Sequence, residues 1–328
     1  MKKVALITGV TGMDGSHLVD LLLSKDYEVW GVIRAPNSIH HKNLEHVKDK
    51  IHFIEGDLCT PGSILKCVKK ILPDEIYNLA SNRGAVGESW GSPIEASEVN
   101  GLGVLRILEA IRCVNKNIKF CQAGSSEMFG NASQGYVTEK SPCSPQSPYG
   151  VAKLYSYWIS RNYRQAHNLF VCNAILFNHN SYRRSTKFVT RKISHGIAQI
   201  KNNQARHISL GNLDSQRDWG FAPDYVRAMW LMLQQDTPDD YIIATNELHS
   251  IKELLQIAFN HVGITHWEPY IRQDPQFMRP TEVNAIRGDY SKAFTKLGWC
   301  PQISFKEMVK TMVEYDMKKT QKNTGKAY

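Results

Sequence analysis

The chain has 328 residues, of which 42% are hydrophobic and 22% charged, an ordinary balance for a soluble globular protein that excludes collagen, a disordered tail protein and a coiled coil. Its length predicts two lobes, at roughly 100–200 residues per domain. Lys+Arg 40 against Asp+Glu 31 leaves a net charge of +9. The basic residues are scattered apart from Lys318, Lys319, Lys322 and Lys326, which read as a solvated tail. No zinc spacing, arginine stripe or RNA-binding aromatic motif accompanies them, so the expectation is no nucleic-acid partner and, for some of the excess, a polyanionic small ligand.

In chain order, Lys3 to Thr8 is an apolar run ending in a Gly-rich turn, and Leu18, Val19, Leu21, Leu22 and Leu23 follow at helical spacing. The opening Met1-Lys2-Lys3 and Val4–Ile7 imitate a secretory signal, but Gly9, Gly12 and Asp14 break it too early and no cleavage site follows. Further buried-strand candidates are Tyr27–Ile33, Ile51–Ile54, Glu75–Leu79, Ile118–Gln122 and Phe170–Phe177. Between them lie helix-like stretches at Ser63–Leu72, Pro93–Cys113 and Tyr149–Ala166. Short apolar strands alternating with helices predict an α/β fold, a Rossmann-type doubly wound parallel sheet. After about residue 178 the alternation loosens into helical patterns at Phe188–Lys201, Asp224–Gln235, Ser250–Val262 and Ser304–Lys319. Two of these open on capping boxes, Ser250…Glu253 and Ser304…Glu307. The expected division is therefore 1–177 for the sheet domain and 178–328 for a smaller lobe interwoven with it.

No apolar run approaches the ~18–20 residues of a membrane span, so no membrane partner is expected. Seven cysteines, Cys59, Cys67, Cys113, Cys121, Cys143, Cys172 and Cys300, show no CxxC spacing. They predict reduced, mostly buried thiols in a cytoplasmic protein rather than a disulfide framework or a metal site.

Thr8-Gly9-Val10-Thr11-Gly12-Met13-Asp14-Gly15 sits between the first strand and the first helix. Glycines there allow a tight turn and close backbone approach to a pyrophosphate, with the helix N-terminus supplying donors; the alternative is merely a glycine-rich turn. An acidic residue at the end of the second strand would favour NAD. The chain instead has Arg34 with small polar neighbours, which suits a 2′-phosphate and so NADP, against the plainer reading of a solvent-exposed arginine. Tyr149 and Lys153 fall four apart on one helical face. A nearby ammonium favours tyrosinate, which could take a hydroxyl proton during hydride transfer. YxxxK alone is common by chance; Ser125-Ser126-Glu127, just beyond the Ile118–Gln122 strand, gives it weight. Glu127 is the informative residue, because a simple alcohol dehydrogenase needs no carboxylate there, whereas a β-elimination beside a ketone needs a base. The alternative is a surface or capping glutamate.

With these residues together, the chain resembles the extended short-chain dehydrogenases/reductases, and within them the GDP-mannose 4,6-dehydratase family, almost end to end. The likeness takes in the Thr8–Gly15 turn, Asp57-Leu58, Asn78-Leu79-Ala80, Ser125-Ser126-Glu127, Tyr149/Lys153, Leu176-Phe177-Asn178-His179 and Arg183-Arg184. It continues through Phe188-Val189-Thr190-Arg191-Lys192, Arg217-Asp218-Trp219-Gly220 and Arg279-Pro280-Thr281-Glu282-Val283. The resemblance implies a catalytic set of Ser125, Ser126, Glu127, Tyr149 and Lys153. It implies an NADP site of Gly9, Thr11, Gly12, Met13, Asp14, Gly15, Arg34, Asp57, Leu58, Leu79, Ala80, Tyr149, Lys153 and His179. It implies a GDP-sugar site of Asn178, Val189, Lys192, Arg217, Arg279 and Glu282, where arginines clamp phosphates and a carboxylate accepts from ribose hydroxyls. Arg183, Arg184 and Arg191 read equally well as surface or subunit-contact arginines.

The implied reaction is an NADP-dependent 4,6-dehydration of GDP-mannose by a homodimer or homotetramer. The same reaction on GDP-N-acetylglucosamine or a GDP-heptose is the alternative, since after Asn78-Leu79 the family carries Ser-His-Val and this chain has Ala80-Ser81-Asn82-Arg83-Gly84, in a loop one residue longer. Ala35 likewise breaks the family's usual double arginine. A nucleotide-sugar epimerase or decarboxylase on the same fold, and a non-catalytic NADP-binding protein, stand as further readings.

Overall fold

A computed structural model describes residues 2–35, 41–81, 89–130, 135–277 and 285–324. Seven parallel strands form its central sheet: β1 (Val4–Thr8), β2 (Glu28–Ile33), β3 (His52–Glu55), β4 (Glu75–Asn78), β5 (Lys119–Ala123), β6 (Val171–Leu176) and β7 (Asp240–Ile243). Their order is β3-β2-β1-β4-β5-β6-β7. The chain leaves β1 toward β2 and β3, then returns to place β4 on the other side of β1, with Thr8 in register with both Val32 and Asn78. That reversal opens a crevice at the carboxyl ends of β1 and β4, where open α/β sheets bind ligands.

The sheet is apolar on both faces because helices cover both. Ala5 and Ile7 point into one core with Leu18 and Leu22 of α1 (Met13–Ser24). Met229 and Met232 of α7 (Ala222–Leu233), Ala293 of α9 (Ser291–Leu297) and Trp299 join that core. The alternate residue Leu6 points the other way, toward Val68 of α2 (Ser63–Ile71) and Ile107 and Ile111 of α4 (Gly103–Val114). A separate core joins α6 (Val189–Lys201), α8 (Ile251–His261) and α10 (Phe305–Thr324) through Ile193, Ile197, Leu255, Phe259, Met308 and Met312. Four two-stranded ladders lie beyond the sheet, and three of them link the loops that leave it. Residues 178–180 pair with 219–221, 216–217 with 249–250, and 135–137 with 286–288.

The expected strands and helices are present with shifted ends, and five details differ. The Pro93–Cys113 stretch is two helices, α3 (Pro93–Ser97) and α4, joined by a π turn at Glu98–Leu102. Buried Asn100 in that turn donates to the Ala96 carbonyl (2.9 Å) and accepts from Ser81 Oγ (2.9 Å). The edge strand β7, from the part of the chain after residue 178 read as helical, was not expected. Only one capping box closes: Ser304 and Glu307 bond reciprocally, whereas the Glu253 carboxylate turns to His249 Nδ1 (3.0 Å). Lys318 and Lys319 lie within α10 rather than in a tail. All seven cysteines are free, but only Cys67, Cys121 and Cys172 are buried, and Cys113 is exposed. Among the described residues no helix is long and apolar enough to cross a membrane.

Candidate active site

The crevice is built from the carboxyl ends of the strands β1 to β6. After β1, Gly9 sits at φ +69°, and a Cβ there would lie 2.7 Å from the Leu79 carbonyl and from Ala80 N. A side chain at Gly15 would run into the Gly9 carbonyl. The turn therefore closes tightly, with Gly12 N donating to Gly9 O (3.0 Å), and α1 starts on Gly12 without a side-chain cap. Its first amides stay available to an anion. Thr11 is half-buried and Met13 buried beside this turn. Burial pushes the Asp14 carboxyl up, but His179 beside it, with Arg184 and His17 behind, outweighs that and holds it below its ordinary value. His179 Nε2 lies 3.0 Å from Asp14 Oδ1, its Nδ1 lies 2.8 Å from the Phe177 carbonyl, and its ring stacks on buried Tyr225 at 4.4 Å.

Arg34 is exposed where β2 ends, and residues 36–40 beyond it lie outside the described residues. After β3, Asp57 N donates to Ser63 Oγ (2.9 Å) and Asp57 Oδ1 accepts from Cys59 N (2.9 Å). Leu58 is buried, and its carbonyl accepts from Arg106 (2.7 Å).

Beneath the turn runs a buried polar chain that the sequence reading missed. Ala80 N donates to Thr8 Oγ1 (3.2 Å), which donates to Asn78 Oδ1 (2.5 Å). Asn78 Nδ2 donates to Gln122 Oε1 (2.7 Å), and Gln122 Nε2 to the Ala123 carbonyl (2.8 Å). The same carbonyl accepts from Lys153 Nζ at 2.8 Å. The available signal was a polar residue at or next to the last position of three otherwise apolar strands.

Ser147 caps α5 (Pro148–His167) by accepting from Gly150 N (3.0 Å), which fixes where Tyr149 and Lys153 emerge. Ser125 acts on Tyr149 by favouring its ionised form, and Ser125 Oγ accepts from Glu127 N (3.2 Å); Ser126 and Glu127 are half-buried beside it. The four-residue spacing does bring Lys153 under the Tyr149 ring, with Nζ 5.7 Å from its centroid. The expected tyrosinate does not follow. Burial pushes Tyr149 up to about 12, with Glu127 adding and Ser125 opposing, while burial pushes Lys153 down to about 8. Desolvation disfavours both charged forms and outweighs their mutual attraction across that gap.

Arg184 is drawn into this site rather than to the surface. It is half-buried, its charge is felt by Asp14 and Tyr149, and its guanidinium lies 3.9 Å from the Phe188 ring centroid. Further along the chain, Asn178 leaves β6 half-buried and Val189 begins α6 37% exposed. The Lys192 ammonium lies 3.3 Å from the centroid of the Phe277 ring, and burial lowers its pKa. Arg217 Nη1 donates to the Gln216 carbonyl at 2.6 Å. Arg279, Glu282 and the altered loop at 82–88 lie outside the described residues.

A doubly wound parallel sheet with a glycine turn at its switch point and a Ser-Tyr-Lys cluster beside it defines the extended short-chain dehydrogenase/reductase class. Two solved structures share this fold. One is the UDP-glucose 4-epimerase of Thermotoga maritima with UDP-glucose (TM-score 0.85, 24% identity, 97% of this chain and 99% of that chain). The other is the dTDP-glucose 4,6-dehydratase of Bacillus anthracis in complex with NAD (TM-score 0.84, 19% identity, 97% and 98%). Sequence places the chain within the class. A family model described as GDP-mannose 4,6 dehydratase matches residues 6–312. The GDP-mannose 4,6 dehydratase of Drosophila melanogaster is 43% identical over 98% of this chain and 88% of its own, and that of Vibrio cholerae is 40% identical over 98% and 96%. The chain belongs to the GDP-mannose 4,6-dehydratase family, whose members are nucleotide-sugar hydro-lyases.

Proposed function

We propose that this protein is an NADP-dependent GDP-mannose 4,6-dehydratase, converting GDP-mannose to GDP-4-keto-6-deoxymannose and water. The observation that carries the reading is a carboxylate near the hydride-transfer set: the Glu127 charge acts on Tyr149, Glu127 N bonds Ser125 Oγ, and Lys153 lies under the Tyr149 ring. The glycine turn fits a dinucleotide, because the space a Cβ would fill at Gly9 and Gly15 is the space that lets backbone amides approach a pyrophosphate. Gly12, Thr11, Met13 and Asp14 would hold that end, Leu79 and Ala80 the nicotinamide side with His179, and Asp57 and Leu58 the adenine. Exposed Arg34 is free of a carboxylate neighbour in sequence and suits the 2′-phosphate of NADP.

A bound nicotinamide would supply hydride chemistry between C4 and C6. Everything else falls to the chain's own side chains. Ser125 holds the C4 oxygen while Tyr149 accepts its proton. Glu127 removes the C5 proton, which the new ketone has acidified, and hydroxide leaves C6 with a proton from Ser126 or Glu127. A final proton returns to C5, and the sum is the loss of one water. Tyr149 is pushed up to about 12 without substrate. Tyr149 must therefore first give its own phenolic proton to solvent with the ligands in place, and the Lys153 ammonium offsets the charge of the phenolate that then takes the C4 hydroxyl proton.

Asn178, Val189, Lys192, Arg217, Arg279 and Glu282 would hold the GDP, so residues 1–177 carry the cofactor and 178–328 mainly the nucleotide-sugar. Trp90, Ile94, Val151, Tyr155 and Trp158 are 40–79% exposed around α3 and one face of α5, and that face supports a homo-oligomer, checked by sedimentation equilibrium. Incubation with GDP-mannose deuterated at C4 tests the function. The expected product has lost one water and carries the label at C6. A product without a C6 methyl, or with the label lost to solvent, returns the protein to the epimerase or decarboxylase reading.

A further inference from the structure

Between Arg217 and Trp219 stands a carboxylate that touches no expected ligand yet is 1% exposed. Asp218 Oδ1 accepts from Thr245 N (2.8 Å) and Thr245 Oγ1 (2.7 Å). Its Oδ2 accepts from Asn246 N (3.1 Å) and Gly288 N (3.2 Å). On one side Arg217 pairs with His249, and on the other Trp219 pairs with Asn178. One carboxylate thus ties together the exit of β6, the 216–221 segment, the 245–250 turn after β7, and the strand at 286–288. That last strand follows directly on the stretch containing Arg279 and Glu282.

We propose that Asp218 is a positioning residue for the nucleotide half of the substrate, holding the segments that carry Asn178 and Arg217 in one register. This rests on the GDP-sugar reading above. The four donors come from two separate segments, and three are backbone amides; an apolar residue could fill the space but could not fix those amides relative to one another. Burial pushes the carboxyl up to about 6 against the pull of these donors, so keeping a charge here is costly to the fold. A group retained at such a cost needs a use beyond filling space. The junction supplies one: it sets where the Arg217 backbone lies relative to Asn178.

The test compares Asp218→Asn with the unmutated protein. Asparagine can still accept from Thr245 through Oδ1, but its amide would face the Asn246 and Gly288 N–H groups, donor against donor. The expected result is GDP binding weaker by about tenfold or more in titration calorimetry, because the variant must order the Arg217 and Asn178 segments at the expense of binding. KM for GDP-mannose should rise in parallel, with kcat within about threefold and copurified NADP unchanged. A merely structural role would lower stability without splitting KM from kcat. GDP affinity equal to that of the unmutated protein, or a loss confined to kcat, overturns the proposal. Should Asp218→Asn fail to fold, Thr245→Val removes one donor and keeps the backbone amide. About threefold weaker GDP binding then supports the proposal, and unchanged binding overturns it. Unmutated protein that binds no GDP overturns the substrate reading itself, an outcome distinct from a variant that binds GDP normally.

Discussion

Lys153→Met should leave the protein inactive but more stable at neutral pH. Lys153 is 3% exposed, and burial lowers its pKa from 10.5 to about 8. The unfolded chain therefore binds more protons between about pH 8 and 10.5, and the lysine's contribution to stability rises with pH through that window. Below pH 8 the ammonium is present in both states, and its burial costs about 3 kcal/mol, taking about 1.4 kcal/mol for each tenfold change in proton affinity. Methionine removes that cost and keeps most of the apolar stem. The loss on the other side is small. The Ala123 carbonyl keeps its bond from Gln122 Nε2 (2.8 Å), so no acceptor is orphaned, and the missing hydrogen bond is worth about 1–2 kcal/mol. The net expectation is a gain of about 1–2 kcal/mol at pH 7, raising Tm by a few degrees. The gain should cross zero between about pH 8 and 10.5 and become a loss of about 1–2 kcal/mol, the missing hydrogen bond alone, by about pH 10.5, while kcat falls by about 10²–10⁴-fold. Thermal denaturation of both proteins at pH 7 and pH 10, beside a dehydratase assay, reads all three quantities. A variant less stable at pH 7, or a stability difference that does not change with pH, would refute the claim that Lys153 is held charged against the preference of its surroundings.

The remaining predictions concern neighbouring groups. Glu127→Gln is nearly isosteric but cannot accept the C5 proton. Oxidation at C4 should persist while water loss drops about 10²–10⁴-fold, leaving transient NADPH absorbance; full turnover would remove Glu127 from the mechanism. Arg34→Asp places repulsion beside the 2′-phosphate, so the ratio of NADP to NAD affinity should fall, and an unchanged ratio would mean that Arg34 is only a surface arginine. Gln122→Leu strands the buried Asn78 amide and removes one donor from the Ala123 carbonyl. Stability should drop by about 1–3 kcal/mol with a loss of kcat, and a silent substitution would mean the polar chain does not support Lys153.

What the sequence made legible is what is local. The run at Val4–Thr8 shows its strand because both faces are covered, and Tyr149 and Lys153 show their shared face because a helix repeats every 3.6 residues. The glycine turn is legible because it is a contiguous pattern between a strand and a helix, with the Gly9 carbonyl facing Gly15, although Gly9 itself answers to Leu79 and Ala80. Pairings closed by the fold left no such trace. Asn78 and Gln122 are 44 residues apart in the chain and 2.7 Å apart in space. Asp218 and Gly288 are 70 apart, and each looks like an ordinary loop residue alone. The sign of the Tyr149 shift was lost for a related reason. Spacing reports that an ammonium is near, but not how much water both groups have given up, and here the lost water outweighs the neighbour.

Family resemblance supplies the names of contact residues across that gap without supplying the reasons they stay in place. The reasons lie in the two buried polar arrangements flanking the crevice. One runs from Thr8 to Lys153 across β1, β4 and β5 and backs the hydride-transfer side. The other converges on Asp218 and backs the nucleotide side. They share no residue, so substitutions in the two should act almost independently, with free-energy effects that add to within about 0.5 kcal/mol. Gln122→Leu should then change kcat and Asp218→Asn change KM, and the double variant should show both changes at full size. A double variant much less impaired than the sum would mean that the crevice is held as one network rather than two.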